Sequence, residues 1–190
     1  MSTDPLIQPP FAADLVAQLA GLSPEDSVAA LRAARADATR YTQGSHDALF
    51  SADVLDLTLT ERLYAAWYAA WLTPSVPAAQ AYRARLLAVD DDAAASAALL
   101  DKIEARGINA IEAPINPRLA TILAHTHALI TQPVATGKPE LTPLQAAGLS
   151  TRAIVALAQL VAFVSYQVRV VAALQALKAS QESNVPERRA

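Results

Sequence analysis

The chain has 190 residues, 53% of them hydrophobic, a formal net charge of −3 and no cysteine. This length suits one domain with a substantial core, and the apolar content argues against intrinsic disorder. Without cysteine the chain cannot form a disulfide, a Cys-x-x-Cys redox pair, a thiol nucleophile or a cysteine-based zinc site. Basic residues form no run apart from Arg188 and Arg189, which argues against a nucleic-acid partner.

The N-terminal segment 1–10 contains three prolines, which predicts an extended arm that frays or lies across a neighbouring subunit. It lacks the basic flank and apolar run of a signal peptide, so we expect a cytoplasmic protein. We expect a single helical domain over residues 11–180, followed by a short tail over 181–190.

Abundant alanine and only five glycines favour helices, and no stretch shows the alternation of a β-strand. The predicted fold is therefore all-α, a helical bundle with a long C-terminal core helix. The apolar spacing and the turn residues predict helices over residues 11–20, 25–40, 59–72, 78–88, 93–106, 118–131 and 150–178.

Local signals mark several helix ends. Gly21 is a plausible stop for the first helix, and Ser23 with Asp26 resembles a capping box for the second. Thr60 is the predicted cap of the third helix, and Ser150 of the last. A break in the second helix is expected near residues 44–50, and the loop over residues 131–142 is expected to end with Thr142 capping a short turn.

The last helix, over residues 150–178, is apolar on almost every side. Such a helix is either buried in a core or spans a membrane. Gln159, Gln167 and Arg169 near its middle would be costly in lipid, and its longest charge-free run falls short of about 18–20 residues. We therefore predict the central helix of a soluble bundle, covered in part by another subunit, and no membrane partner.

Aromatic residues suggest where such a subunit would dock. Trp67 and Trp71 are four residues apart and share one face of their helix. Together with the last helix they offer more apolar surface than a small bundle readily covers, and exposed apolar patches mark interfaces. Symmetric homo-oligomers are the usual outcome. We predict an interface that uses Trp67, Trp71, Phe163 and Val170, with the N-terminal arm across the partner.

Several segments carry a family resemblance. LTERLYAAWYAAWL, AAQAYRARL, LATILAHTHALITQP and above all GLSTRAIVALAQLVAFVSYQVRV resemble the carboxymuconolactone decarboxylase and alkylhydroperoxidase D-like superfamily. Upstream, DLVAQLAGL and SVAALRAARADATRYTQGSHDALF resemble the N-terminal extension of its "CMD domain protein" subgroup. The resemblance covers roughly residues 11–177. It implies an all-helical fold that assembles as trimers, or as hexamers made from dimers or trimers.

The resemblance does not extend to the peroxidase motif. Peroxidase members carry a Glu early in one helix and Cys-x-x-Cys-x-x-x-His at the start of the next. Aligned by that His, the motif falls on Ser75, Ala78 and Tyr82, and Glu61 takes the Glu position. A Ser hydroxyl with no adjacent base cannot replace a thiolate. The thiol peroxidase activity that the superfamily name suggests is therefore not expected, and no cofactor is predicted.

Glu61 is the candidate catalytic acid or base, with Tyr82 and His125 as its candidate partners, because that role needs a nearby group and a shifted pKa. The structural alternative is that Glu61 and Arg62 supply a helix-terminal charge and a surface ion pair. A metal site is not predicted, because His125 and His127 are two residues apart on a helix and point in nearly opposite directions.

The last helix carries candidate ligand-binding residues. Gln159 and Tyr166 are seven residues apart on one face, and Arg169 lies three residues beyond. Buried polar groups need hydrogen-bond partners, so these three residues either tie helices or subunits together or line a cavity for a small-molecule ligand.

Three functions stay open at this point. The first is a peroxidase-related protein that has lost the redox thiols. The second is a non-thiol acid–base enzyme acting on a small carboxylate or lactone. The third is a non-catalytic ligand-binding or assembly module. A ligand held between the Glu61 helix and the last helix would favour the enzyme, and a sealed apolar interior would favour the module.

Overall fold

The computed structural model describes residues 14–51, 53, 56–107, 116–134 and 137–183, which form helices and contain no strand. The all-α prediction is confirmed. The described residues form α1 (Leu15–Leu19), α2 (Ser27–Ala33), α3 (Ala36–Leu49), α4 (Leu59–Leu72), α5 (Val76–Val89), α6 (Ala93–Arg106), α7 (Pro117–Thr131), α8 (Lys138–Ala146) and α9 (Thr151–Ser183). The predicted N-terminal arm lies outside the described residues, as does the tail beyond Ser183.

The chain divides into two compact units. Of the described residues, one unit contains those up to Ala48 and those from Tyr166 onward, and the other contains those from Leu49 to Ser165. The long helix α9 contributes residues to both. Each unit has its own set of packing contacts.

Helix α4 lies at the centre of the second unit, packed against α5 and α7. Its nine consecutive residues from Arg62 to Ala70 are all buried. Arg118 at the start of α7 pairs with Glu61 at the start of α4, and the His127 ring stacks on Tyr68 about two turns further along both helices. These two contacts show that α4 and α7 run side by side in the same direction.

The other helices of this unit are placed by neighbouring contacts. Helix α5 packs on α6, and α7 packs on α8. The Tyr64 hydroxyl of α4 lies 2.5 Å from the Ser96 hydroxyl of α6, which in turn donates to Asp90 at 2.6 Å. Burial raises the pKa of Tyr64. This chain of three side chains fixes the start of α6 against α4.

The first unit is held by polar contacts among α1, α2, α3 and the end of α9. The Arg32 guanidinium donates to the buried Asp14 carboxylate at 2.5 and 2.8 Å. Lys178 of α9 pairs with Asp26 at 2.9 Å. The pKa of Asp26 lies below its ordinary value, first because its carboxylate accepts the Ser23 backbone N–H and then because Lys178 donates to it.

Only one side of α9 is buried. Its buried residues recur every three or four positions, which is the spacing of one helix face. Val155, Tyr166 and Leu177 on the other side are 50%, 46% and 41% exposed. In the single chain, one face of α9 is therefore packed and the other is exposed. That another subunit covers the exposed face remains a prediction.

Helix α9 is also the one helix in the described part of the chain that is long and apolar enough to cross a membrane. Half of its most apolar stretch is buried inside the protein. Core helices of soluble proteins share these properties, so the structure is compatible with a soluble protein. The cytoplasmic location remains a prediction.

Two predicted helix ends are confirmed. Gly21, with φ of 65°, follows α1, and the N–H of Leu22 returns to the Ala17 carbonyl at 3.0 Å. This is the glycine-dependent end expected where the chain needs a positive φ. Ser150 caps α9 by accepting the Ala153 N–H at 3.2 Å.

Other predicted boundaries are wrong. The helix predicted over 25–40 is two helices, and α3 continues through Gly44 to Leu49 without the predicted break. Thr142 lies inside α8 and does not cap it. The last helix was predicted to end at residue 178, and α9 continues to Ser183.

Candidate functional site

Glu61, the candidate catalytic residue, lies at the start of α4, where its carboxylate is held by hydrogen bonds. Thr58, and not the predicted Thr60, caps this helix. The Thr58 N–H donates to Glu61 Oε2 at 2.8 Å, and the Glu61 N–H donates to Thr58 Oγ1 at 3.1 Å. These reciprocal bonds form a capping box, which satisfies two backbone donors at the helix end.

The second partner of Glu61 is Arg118. Arg118 Nε donates to Glu61 Oε1 at 2.6 Å, and the two side chains are only 25% and 12% exposed. Arg118 also donates to the carbonyls of Asp56 and, at 3.2 Å, of Ala147. One guanidinium therefore ties together the starts of α4 and α7 and the end of α8.

The turn after α8 is shaped around this guanidinium. Gly148 has φ of 82°, and a Cβ at that position would lie 3.6 Å from Arg118 Nη1. Glycine supplies the positive φ at no steric cost, which lets the chain turn beside Arg118 and enter α9. The capping box, Arg118 and this turn form one polar junction.

The structure does not join Glu61 to its predicted catalytic partners. The hydrogen bonds that Glu61 makes with described residues go to Thr58 and Arg118, and not to Tyr82 or His125. A carboxylate already bound to a guanidinium and to a backbone N–H is held as a structural anion. This geometry matches the structural alternative for Glu61.

Tyr82 and His125 are both core residues. Tyr82 is 2% exposed, and its ring stacks on Phe50 with centroids 5.5 Å apart. The Arg85 guanidinium lies 4.8 Å from the Phe50 ring centre. His125 is 6% exposed, among buried apolar residues of α7. Both side chains are shielded from solvent in the single chain.

The prediction of a surface ion pair for Arg62 is wrong. Arg62 is 2% exposed and donates to the carbonyls of Leu49, Ser51 and Thr58 at 2.6, 2.8 and 3.3 Å. Burial, and next the nearby Arg85, lower the pKa of Arg62. The carbonyl dipoles that compensate its charge come from the end of α3 and the turn before α4. Arg62 therefore fixes that connection.

The three candidate ligand-binding residues of α9 do not lie in an enclosed cavity. Gln159, Tyr166 and Arg169 are all exposed in the single chain. The Tyr166 hydroxyl is 3.2 Å from the Thr42 hydroxyl. The buried polar residue of this stretch is Gln167, which has no exposed surface. The seven-residue spacing of Gln159 and Tyr166 places them on one face of α9, but it does not indicate whether that face is buried or exposed.

An aromatic cluster extends from the core to the surface. Tyr68 lies between Trp67, Trp71 and His127, with ring centroids 5.9, 5.8 and 6.2 Å away. Burial raises the pKa of Tyr68 to about 12. Trp67 has no exposed surface, so in this fold it cannot contribute to the predicted subunit interface. Trp71 is partly exposed.

Trp71 forms one wall of a cleft that sequence reasoning missed. The cleft lies where α4 ends and α5 begins, beside α6, and has a volume of about 600 Å³. This is within the range of small-molecule sites. Its lining residues are Trp71, Pro74, Ser75, Val76, Ala79, Gln80, Arg83, Asp101 and Glu104. The sequence feature that could have indicated this cleft is the helix break at residues 73–77, directly after the aromatic helix α4.

Arg83 organises the polar side of this cleft. Its guanidinium donates to Asp101 Oδ1 at 2.7 Å and to Glu104 Oε1 at 3.4 Å. The side chains of Asp101 and Glu104 remain 67% and 41% exposed. Ser75 at the start of α5 also lines the cleft.

No group of three or more His, Asp or Glu residues within the described ranges could hold a metal ion. Comparison of the chain with family models and with curated proteins finds no match. The family resemblance therefore rests on the sequence segments quoted above.

Proposed function

We propose that this chain is a thiol-free protein of the carboxymuconolactone decarboxylase and alkylhydroperoxidase D-like kind that binds a small molecule and does not catalyse peroxide reduction. Of the three functions considered, this is the binding module. The sequence segments support the family, and the arrangement of charged residues supports binding over acid–base catalysis.

The observation that carries the proposal is the state of Glu61. A general acid or base must exchange a proton with substrate, which requires that it reach the substrate directly or through one water. Glu61 is held by Arg118 and by the capping box instead. Tyr82 and His125 are buried in the core. These positions leave the acid–base enzyme without its expected catalytic group.

Two features support binding. The residues of α4 from Leu63 to Ala70 are buried and are all apolar or aromatic, and a sealed apolar interior favours a module. The cleft beside Trp71 is open to solvent and combines an aromatic wall with a few polar groups, which is the usual composition of a ligand site. We take this cleft as the binding site.

The absence of catalysis is tested with alkyl hydroperoxides and a dithiol-regenerating reductant system. Because the chain has no cysteine, we expect no turnover above that of boiled protein. The matched control is a cysteine-containing member of the superfamily assayed in parallel. Turnover by this chain at a comparable rate would contradict the proposal.

Binding is tested by ligand-observed NMR with a library of small fragments of mixed charge. We expect hits that are lost in Trp71→Leu, because Trp71 forms the cleft wall. Gln159→Ala on the exposed face of α9 is the control and should leave those hits unchanged. A library with no hits, or hits indifferent to Trp71, would reject the cleft as a binding site.

Self-association also remains a proposal. Phe163 and Val170 of α9 and Trp71 of α4 are each partly exposed, and we propose that they contact a second copy in a dimer, trimer or hexamer. Light scattering at micromolar concentration should give a mass above 20.0 kDa. If the oligomer persists in Trp71→Ala and Phe163→Ala, the interface lies elsewhere on the chain. A monomeric mass for the unaltered chain would refute self-association.

A further inference from the structure

The cleft beside Trp71 has one apolar side. The Trp71 ring stacks on Tyr68 and Trp67, with centroids 5.8 and 6.5 Å away, so its orientation is fixed by the core. Pro74, Val76 and Ala79 continue the apolar lining. A rigid indole with small apolar neighbours suits the flat or apolar body of an organic molecule.

The polar side of the cleft has an excess of negative charge. Arg83 contributes +1 and Asp101 and Glu104 contribute −2, which leaves a formal −1 at this side. The two ion pairs are unequal, at 2.7 Å to Asp101 and 3.4 Å to Glu104. Both carboxylates therefore keep acceptor positions that Arg83 does not fill, since an ionised carboxylate offers about four.

We infer that the cleft binds a small organic cation, an amine or ammonium group carried on an apolar or aromatic body. The cation would lie among Asp101, Glu104 and the Trp71 face, because aromatic rings attract cations as well as apolar groups. This inference names the ligand class of the proposed binding site, and so it rests on the proposed function.

An anionic ligand is the main competitor. The first turn of α5 opens at the cleft, and a helix N-terminus attracts negative charge. However, Arg83 is the only cationic side chain among the described lining residues, and it is already bound to two carboxylates. The chain as a whole carries −3, which also favours the approach of cations.

The experiment compares three probes that share a benzyl or phenyl ring: benzylammonium, benzyl alcohol and benzoate. Binding to the full chain is measured at pH 7 by ligand-observed NMR and by tryptophan fluorescence, at low and moderate salt. We expect benzylammonium to bind most tightly, and we expect salt to weaken its binding.

Variants locate the interaction. Glu104→Gln and Asp101→Asn should each weaken benzylammonium binding by about 2–5-fold, the range for a partly exposed ion pair. Trp71→Leu should weaken it by roughly 2–30-fold. Glu182→Gln, an exposed carboxylate on α9, is the matched control and should change nothing. Circular dichroism confirms that each variant is folded.

Each of the following outcomes would overturn the inference. Equal affinities for benzylammonium and benzyl alcohol would show that charge is not recognised. If benzoate binds most tightly and its binding is lost in Arg83→Gln, the ligand of the cleft is an anion and not a cation. The proposed binding function would then remain intact. Benzylammonium binding that is unchanged in Glu104→Gln and Trp71→Leu would place it elsewhere. If all three probes and the fragment library fail to bind, the binding function fails as well.

Discussion

Helices α4 and α9 are both rich in apolar residues but differ in what they bury. Nine of the 14 residues of α4 are buried, against nine of the 33 residues of α9. The sequence indicated α9 as the central helix, and the structure gives that place to α4 within its unit. Apolar composition therefore shows that a helix can be buried and does not show how much of it is.

The neighbours of α4 explain the difference. Helices α5 and α7 pack against it, so residues around its circumference meet another helix. The buried residues of α9 occupy one face. Its exposed side carries alanines, polar residues such as Gln159 and Arg169, and isolated larger apolar residues. Single apolar residues on a surface are common and need no partner.

The largest expected effect comes from the centre of α4. Trp67→Ala removes a fully buried ring and should lower the free energy of unfolding by about 3–5 kcal/mol. Val155→Ala on the exposed side of α9 is the control and should cost less than about 0.5 kcal/mol. Urea unfolding followed by circular dichroism measures both. Similar losses would mean that α9 is as deeply packed as α4.

The next effect concerns how the two helices begin. Glu61→Ala removes the Arg118 pair and half of the capping box, and should cost about 1–3 kcal/mol. Arg152→Ala, in the exposed first turn of α9, should cost less than about 0.5 kcal/mol. Thermal unfolding at neutral pH compares them. A Glu61 variant of unchanged stability would show that the polar junction does not stabilise the fold.

A pH-dependent effect follows from Tyr68 of α4. Its pKa is raised from 10.0 to about 12 by burial, so the folded chain retains the phenol proton where the unfolded chain has lost it. The stabilisation is complete below pH 10 and is lost as the pH rises toward 12, by about 1–3 kcal/mol.

Unfolding in urea between pH 8 and 12 measures this loss, and Tyr68→Phe should reduce it. Part will remain in that variant, because burial also raises the pKa of Tyr64. A pH profile that is identical in the two proteins would contradict the assignment to Tyr68.

The smallest effect is expected on α9. Tyr166→Phe removes an exposed hydroxyl that lies 3.2 Å from the Thr42 hydroxyl. Exposed pairs of this kind exchange readily with water, so the unfolding free energy should change by less than about 0.5 kcal/mol. Chemical denaturation is again the measurement. A loss above about 1 kcal/mol would show that the exposed side of α9 is energetically important.

Helices set by local signals were predictable from the sequence. The bounds predicted for α4 and α6 match at both ends, and α7 begins one residue earlier than predicted. The cap of α4 was also readable: Thr58 precedes Glu61 by three residues, which is the capping-box spacing. Thr60, predicted instead, is adjacent to Glu61 and therefore two residues too close to take part in such a box.

The site was less predictable, because it depends on contacts between distant residues. Glu61 was correctly singled out, but its partner Arg118 lies 57 residues away, and spacing along a helix cannot pair them. The cleft could not be predicted for the same reason. Trp71 and Asp101 belong to different helices, and only packing brings both into its lining. The exposure of Tyr166 likewise depends on which neighbours cover α9.

Arg118 has a further consequence for how long the folded chain persists. It bonds to positions 62, 57 and 29 residues away along the chain, and contacts at such separations generally form after local helices. We therefore expect the junction to be absent from the folding transition state, so that losing it would accelerate unfolding and leave the folding rate almost unchanged. Arg118 would then slow unfolding. It would thereby lengthen the time for which the native state resists proteolysis and irreversible inactivation.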